Sequence, residues 1–453
     1  MQSDYGRELG LLRAVIQGTE ERPIHFLDVT PDYLRSEGMV WALPGSGGTV
    51  IFSRDAYDAF DSLTQALVKE CQGLDRGIDF RRIRREIFTV IESHIGSAPA
   101  LLLSNDVTAL VAQLRKWFQH EVEPRKVFVP CAISPWPAPQ FMIGPVLFIY
   151  VDDVPQSTFC LGSDDLIGKL DFDKMLERMR TERAFWLAQI SVEGCDHERG
   201  EEIGALAVDL AIVTLQLALP TSWHTRNMSR LDARRGGADS QTLSRTATTV
   251  CSGHSTRDAG LTIGQGSMQD ILQNCSLLVE SVGRCVTAFA TGRFTFHSLE
   301  QAWCDAAYWY HEALAERIDS IAIAKLETSL EVLLQATNTK GSQRRIRLVL
   351  EAFFNLKPED PIVSGSHMTA DEFAKSIVEN RSKILHGVMS TLQPHIGIDR
   401  DGLEEFVASV LRRAVIELAG YRSSPAPQDK IEEFLKWVKS KSTSQPGDSD
   451  VVL

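Results

Sequence analysis

From about residue 296 to residue 423, five successive stretches repeat apolar residues every three or four positions, each opened or closed by a helix-boundary signal. This spacing puts an apolar stripe on one side of a helix, and the stripe must be buried. Ser298 and Gln301 stand in capping-box relation ahead of Leu299, Ala302, Trp303, Ala306, Tyr310, Ala313 and Leu314. A second helix carries Leu326, Leu330, Leu333 and Leu334, and a third Ile346, Leu350 and Phe353. A fourth opens at Thr369, with Glu372 in the reciprocal position, and runs toward Gly387. The fifth, 399–419, is capped by Asp399 and closed by Gly420. Five amphipathic helices with short connections predict a helical bundle.

The preceding chain reads differently. GTVIFS (48–53), KVFVPCAI (126–133) and GPVLFIYVDD (144–153) are rich in β-branched and aromatic residues and predict strands. Residues 56–72 and 80–93 have helical spacing, and the three prolines of PWPAPQ (135–140) require a loop. Residues 165–220 read as mostly helical, and the polar segment 224–256 as a long loop or weak strands. Ser267, with Asp270 three residues on, is expected to cap a helix reaching about 290. The expected class is α+β: a mixed α/β region (1–155), a helical middle (156–295), an all-α bundle (296–423), and a C-terminal helix with a mobile tail (424–453) from Thr443 on.

A net charge of −13 over 453 residues argues against indiscriminate coating of nucleic acid, which needs many cations at phosphates. Eight cysteines without a CxxC pair suggest neither a zinc ribbon nor a disulfide framework. Cys195, His197, Cys251 and His254 could ligate a metal only if the fold gathered them, so no metal or cofactor is expected. MQSDYGRELGLLRAV lacks the basic-then-apolar pattern of a secretion signal. IGALAVDLAIVTLQLALP, which contains Asp209 and Gln216, reads as a buried helix rather than a membrane span. A cytoplasmic location is expected. GSGG (45–48) precedes a strand-like run and reads as a turn; Gly264 and Gly266 read as a capping loop.

Within the fourth helix, ENRSKILHG (379–387) holds Arg381 and His386. The spacing alone is weak, since Arg115 and His120 repeat it on an amphipathic stretch around Trp117. Phe373, Ile377, Arg381 and Ile384 or Leu385 share a stripe, so Arg381 is expected to face the bundle and to need an anionic partner; Glu331 is the natural one. His386 lies roughly 140° further round the helix axis and leaves the stripe near the helix end.

AYWYHEAL (307–314), LETSLEVLLQA (326–336), NRSKILHG (380–387) and the closing amphipathic helix together resemble the Apea-like branch of the HEPN superfamily, over residues 296–423. The resemblance implies a metal-independent endoribonuclease of prokaryotic antiviral defence, or a toxin-like effector, with RNA as substrate. It also implies a homodimer in which two Arg–His motifs line one cleft. Arg381 and His386 are the catalytic residues it carries over, with Glu331, Asn380 and Ser382 in support. Ser382 departs from the strongly polar Asn, Asp or His that often follows the arginine, which weakens the expectation of catalysis.

Simpler readings stand beside these. Arg381 and Glu331 can form an interior ion pair, with His386 favoured at the helix end by the dipole. Lys340, Arg344, Arg345, Arg347 and Lys383 can form either an RNA-backbone groove or a solvated face. The same question applies to Arg226, Arg230, Arg234, Arg235 and Arg245, and to Arg81, Arg82, Arg84 and Arg85. The nuclease is expected to be regulated, held inactive until a trigger ligand or partner protein acts, with the N-terminal 290 residues sensing the trigger or choosing the RNA. The alternative function is a non-catalytic dimerisation or adaptor module working in a multi-protein complex.

Overall fold

The computed structural model describes residues 5–46, 48–95, 98–155, 158, 166–219, 225–231, 238–257, 259–261, 264–336, 338–362, 367–388, 390, 392 and 399–444. The fold is α+β, with a mixed N-terminal region and a helical C-terminal region. The chain forms two compact units, Met1–Arg125 with Val192–Glu202, and Lys126–Ser191 with Ile203–Leu453. These units do not follow the boundaries expected at 155, 295 and 423. The strands expected at 126–133 and 144–153 join a sheet with a strand further along the chain, whereas the one at 48–53 pairs within the first unit.

In the first unit, α1 (Gly6–Gln17) leads into β1 (Thr19–Arg22), followed by α2 (Pro31–Ser36), β2 (Trp41–Pro44) and β3 (Thr49–Phe52). The antiparallel sheet has the order β1-β3-β2, and every residue of the central TVIF strand is buried. Between β2 and β3, Gly45 N–H donates to the Gly48 carbonyl at 2.8 Å, as a turn requires. Next come α3 (Arg54–Glu70), α4 (Leu74–Gly77), α5 (Phe80–Glu92) and α6 (Ser104–Glu121). Phe52, Phe60, Leu63, Ile87 and Leu114 close a single core over the sheet. The arginine run on α5 is partly structural. Arg84 lies over the Trp41, Tyr57 and Phe60 rings and pairs with Asp61 at 3.3 Å. Arg82 pairs with Asp196 at 2.7 Å and also with Glu121, while Arg81 and Arg85 are exposed.

The second unit holds β4 (Arg125–Ala132, from Lys126 on), β5 (Phe141–Ile143), β6 (Val146–Tyr150), α7 (Leu166–Thr181), β7 (Trp186–Val192, as far as Ser191) and α8 (His197–Ala218, from Ile203 on). With β8 (Ser229–Arg230) they give a sheet of order β5-β6-β7-β4-β8. Helices α7 and α8 bear out the mostly helical reading of 165–220, and β7 between them is a strand that reading did not place. Its WLAQISV run is buried at all but two positions, so it lacks the alternation that marks a half-exposed strand. The polar segment 224–256 contains a hairpin, β9 (Ala238–Arg245) and β10 (Val250–Arg257), in register from Val250↔Arg245 to Arg257↔Ala238. Its arginines diverge. Arg226 and Arg230 are held in ion pairs, Arg245 is exposed, and Arg234 and Arg235 lie outside the described residues.

The rest is helical: α9 (Ser267–Asn274), α10 (Ser276–Thr291), α11 (His297–Leu314), α12 (Asp319–Leu333), α13 (Thr339–Phe354), α14 (Ala370–Leu385), α15 (Arg400–Tyr421) and α16 (Ile431–Ser444). Three expected boundaries move. Gly266, not Ser267, precedes α9, and Cys275 separates α9 from α10. The Ser298–Gln301 capping box does not form. Instead Asp429, far along the chain, accepts from the Ser298 and Leu299 N–H groups at 2.8 and 2.9 Å. Gly420 lies inside α15, which ends at Tyr421. Helix α16 continues through Thr443 and Ser444, and the expected mobile tail beyond lies outside the described residues. The apolar run with Asp209 and Gln216 is buried in α8. Asp209 meets Arg230 Nε at 2.9 Å and His311 Nε2 at 3.5 Å, and Gln216 Oε1 lies 2.9 Å from His311 Nδ1. No helix among the described residues is long and apolar enough to cross a membrane.

Candidate functional site

Helix α14 presents both residues of the candidate pair, and its two ends are held firmly. At the start, Thr369 Oγ1 accepts from Glu372 N–H at 3.2 Å while the Glu372 carboxylate accepts from Thr369 N–H at 2.9 Å, so the capping box expected there forms. At the finish, Gly387 takes the left-handed conformation at φ +68°. Its N–H donates to the Ile384 carbonyl at 3.1 Å, and Val388 N–H donates to the Lys383 carbonyl at 2.9 Å. This Schellman closure makes His386 the last half-helical residue, with its ring exposed.

Ile377 and Ile384 are buried on the inward face; Leu385, the alternative end of that stripe, is 60% exposed. Arg381 lies between these surroundings with 28% of its side chain exposed. Its Nη1 is 2.7 Å from Glu331 Oε2, and Ser342 Oγ on α13 donates to Glu331 Oε1 at 2.7 Å. The carboxylate is thus gripped at both oxygens, by a cation and by a hydroxyl. Arg381 Nε is buried without a hydrogen-bond partner among the described residues. Of the supporting residues, Asn380 is buried and Ser382 half-buried.

One residue of this cluster escaped the sequence reading. Glu327 sits one helical turn before Glu331 on α12, its side chain wholly buried, and neither carboxylate oxygen has a hydrogen-bond partner among the described residues. Burial pushes its carboxyl up to about 9. The Arg381 guanidinium opposes that rise and the Glu331 carboxylate adds to it. The available signal was a glutamate four residues from Glu331 in an otherwise apolar run, LETSLEVLL.

The basic residues proposed as an RNA groove do not act as a set. Arg345 donates to the Leu334 and Gln335 carbonyls and pairs with Glu432 at 2.6 Å. Arg347 pairs with Asp371. Arg345 is thus occupied by partners brought in by the fold, while Arg347, with 40% of its side chain exposed, shares its charge with Asp371. Lys340 and Arg344 are exposed, and Lys383 is exposed with Glu379 at 3.9 Å. The rival pair sits on α6, where Arg115 donates to the Glu70 carbonyl at 2.8 Å and His120 is exposed on the helix surface. No group of three or more His, Cys, Asp or Glu side chains able to hold a metal ion occurs among the described residues.

The arrangement offers an anchored guanidinium and a solvent-facing imidazole at one end of one helix. Such groups can hold a phosphodiester and move a proton. No protein-family model matches the chain, nor does any curated protein or solved structure.

Proposed function

We propose that this protein is a metal-independent HEPN endoribonuclease acting in prokaryotic antiviral defence or as a toxin-like effector in the cytoplasm. The observation that carries the reading is the end of α14, where a half-buried Arg381 and an exposed His386 stand five residues apart. RNA supplies its own nucleophile, the 2′-hydroxyl. Cleavage therefore needs a proton acceptor, a proton donor and stabilisation of the phosphorane charge. His386 serves as general base or acid, and Arg381 presents a fork of donors to the phosphate. One imidazole per chain supplies one proton-transfer group. A homodimer that brings two α14 ends together supplies both.

A second reading is a dimerisation or adaptor module without catalysis. Two observations favour it: Glu331 already occupies Arg381, and Leu385 and Val388, which flank His386 along the chain, are 60% and 74% exposed. Exposed apolar side chains beside a candidate site suit a protein contact better than a phosphate backbone.

The test is cleavage of RNA by purified protein in EDTA, with wild type compared with Arg381→Ala and His386→Ala. The nuclease reading expects cleavage by wild type and a loss of about 10²–10⁴-fold in His386→Ala, the usual range for removing an acid–base group. A comparable loss is expected in Arg381→Ala. Equal cleavage by all three proteins would exclude the pair. Absence of cleavage together with a stable dimer in light scattering would favour the adaptor reading.

A further inference from the structure

Arg381 acts on two glutamates one helical turn apart on α12, and only one of them is paired with it. Glu331, nearer the surface with 15% of its side chain exposed, holds Nη1 at 2.7 Å. Glu327 is wholly buried with both oxygens unpartnered, while the Nε of Arg381 is a buried donor without an acceptor. The charged groups acting on Glu327 are Arg381 from α14 and Glu331 from its own helix. Buried donors and acceptors left unpaired are costly, and native proteins leave few of them. Here an orphan donor and an orphan acceptor share one cluster, so one movement of the guanidinium would satisfy both.

We infer that Arg381 has two seats, an outer one on Glu331 and an inner one on Glu327, and that only the outer seat leaves the guanidinium within reach of an anionic ligand. In the outer seat over a quarter of the side chain meets solvent. In the inner seat the charge is withdrawn into the bundle against a carboxylate with no solvent exposure. Glu331 is then less a competitor for phosphate than the group that keeps Arg381 at the surface, and Ser342 steadies it there. The consequence for RNA rests on the function proposed above; the two seats themselves do not.

The experiment is a double-mutant comparison of folding stability at pH 7, using Glu327→Gln, Glu331→Gln and the double variant in the full chain. With Glu331 present, Glu327→Gln should leave the folding equilibrium unchanged or improve it, because the inner carboxyl has no partner to lose. With Glu331→Gln, Arg381 moves inward and Glu327 becomes its sole carboxylate. The same substitution should then lower the folding equilibrium constant at least tenfold. Equal effects in both backgrounds would overturn the two seats. If Glu331→Gln does not fold, Ser342→Ala loosens the same seat and should shift the effect of Glu327→Gln in the same direction.

RNA affinity, read by fluorescence anisotropy with a single-stranded oligonucleotide, gives a second arm. Two seats require Glu331→Gln to weaken binding by withdrawing Arg381, whereas an arginine merely freed from Glu331 would bind more tightly. Affinities untouched by any variant, alongside the stability reversal, would retire Arg381 as an RNA contact and keep the two seats.

Discussion

Two buried carboxylates in the C-terminal unit receive opposite treatment. Glu404 on α15, with no solvent exposure, accepts from Arg226 Nε at 3.0 Å, Arg226 Nη2 at 2.9 Å and Arg400 Nε at 2.6 Å. Arg400 in turn pairs with Asp319 at 3.0 Å and donates to the Ala313 and Leu314 carbonyls at 3.2 and 3.4 Å, at the C-terminal end of α11. Every charge there has a partner, and a cation meets the negative end of a helix. Glu327 on α12 is equally buried and has no hydrogen-bond partner among the described residues. The first cluster is accounted for as a structural joint between α11, α15 and the Arg226 segment. The second is not accounted for by stability, and it is the one beside the candidate catalytic arginine.

The largest effect should come from breaking the satisfied cluster. Glu404→Ala strands two arginines and should cost about 3–5 kcal/mol in denaturant unfolding, as expected for removing one partner of a buried pair. A cost below about 1 kcal/mol would show that Asp319, paired with Arg400, and Asp401, paired with Arg226, compensate and that the contrast is overdrawn.

Glu327 should appear instead in the pH dependence of stability. Its carboxyl is raised from the ordinary range to about 9, so the folded state keeps a proton that the unfolded chain releases. Stability from this group is complete below the ordinary carboxylate range and is lost as pH rises toward 9. Unfolding followed from pH 4 to pH 10 should show this decline in wild type and a flatter profile in Glu327→Gln. Superimposable profiles would remove Glu327 from the contrast.

Smaller effects separate the occupied cations from the exposed ones. Arg345→Ala loses two carbonyl contacts and the Glu432 pair, and should cost about 1.5–3 kcal/mol, the range for hydrogen bonds to charged groups. Arg344→Ala, at an exposed position, should stay within about 0.5 kcal/mol. Thr369→Ala removes the α14 capping box and should cost about 1 kcal/mol, with helix content and thermal midpoint as the readout.

Much of the C-terminal helical order was legible because periodicity and caps are local. The positions of α12, α13 and α14, the Thr369 box and the Asp399 cap all follow from residues within a few positions of one another. Where a cap came from a distant segment, as Asp429 does for α11, a locally plausible box at Ser298 misled. Strand β7 was missed for a related reason. Buried on both faces, it offers no alternation and can be told from a helix only by its neighbours. The candidate site divides in the same way. Placing Arg381 and His386 on one helix needs only the sequence of α14, whereas the loss of Arg345 and Arg347 as free cations depends on Glu432 and Asp371 arriving from other helices.

By itself the sequence determined the α+β class, the helical character of the last third, and the register that sets an anchored arginine five residues before a terminal histidine. Each of these depends on side-chain spacing along a single helix or strand. Tertiary structure decided which charges are paired, which cap closes α11, and that Glu327 enters the interior without a partner. Those outcomes are set by which helices pack together, and a buried carboxyl is costly or cheap according to neighbours that no local pattern specifies.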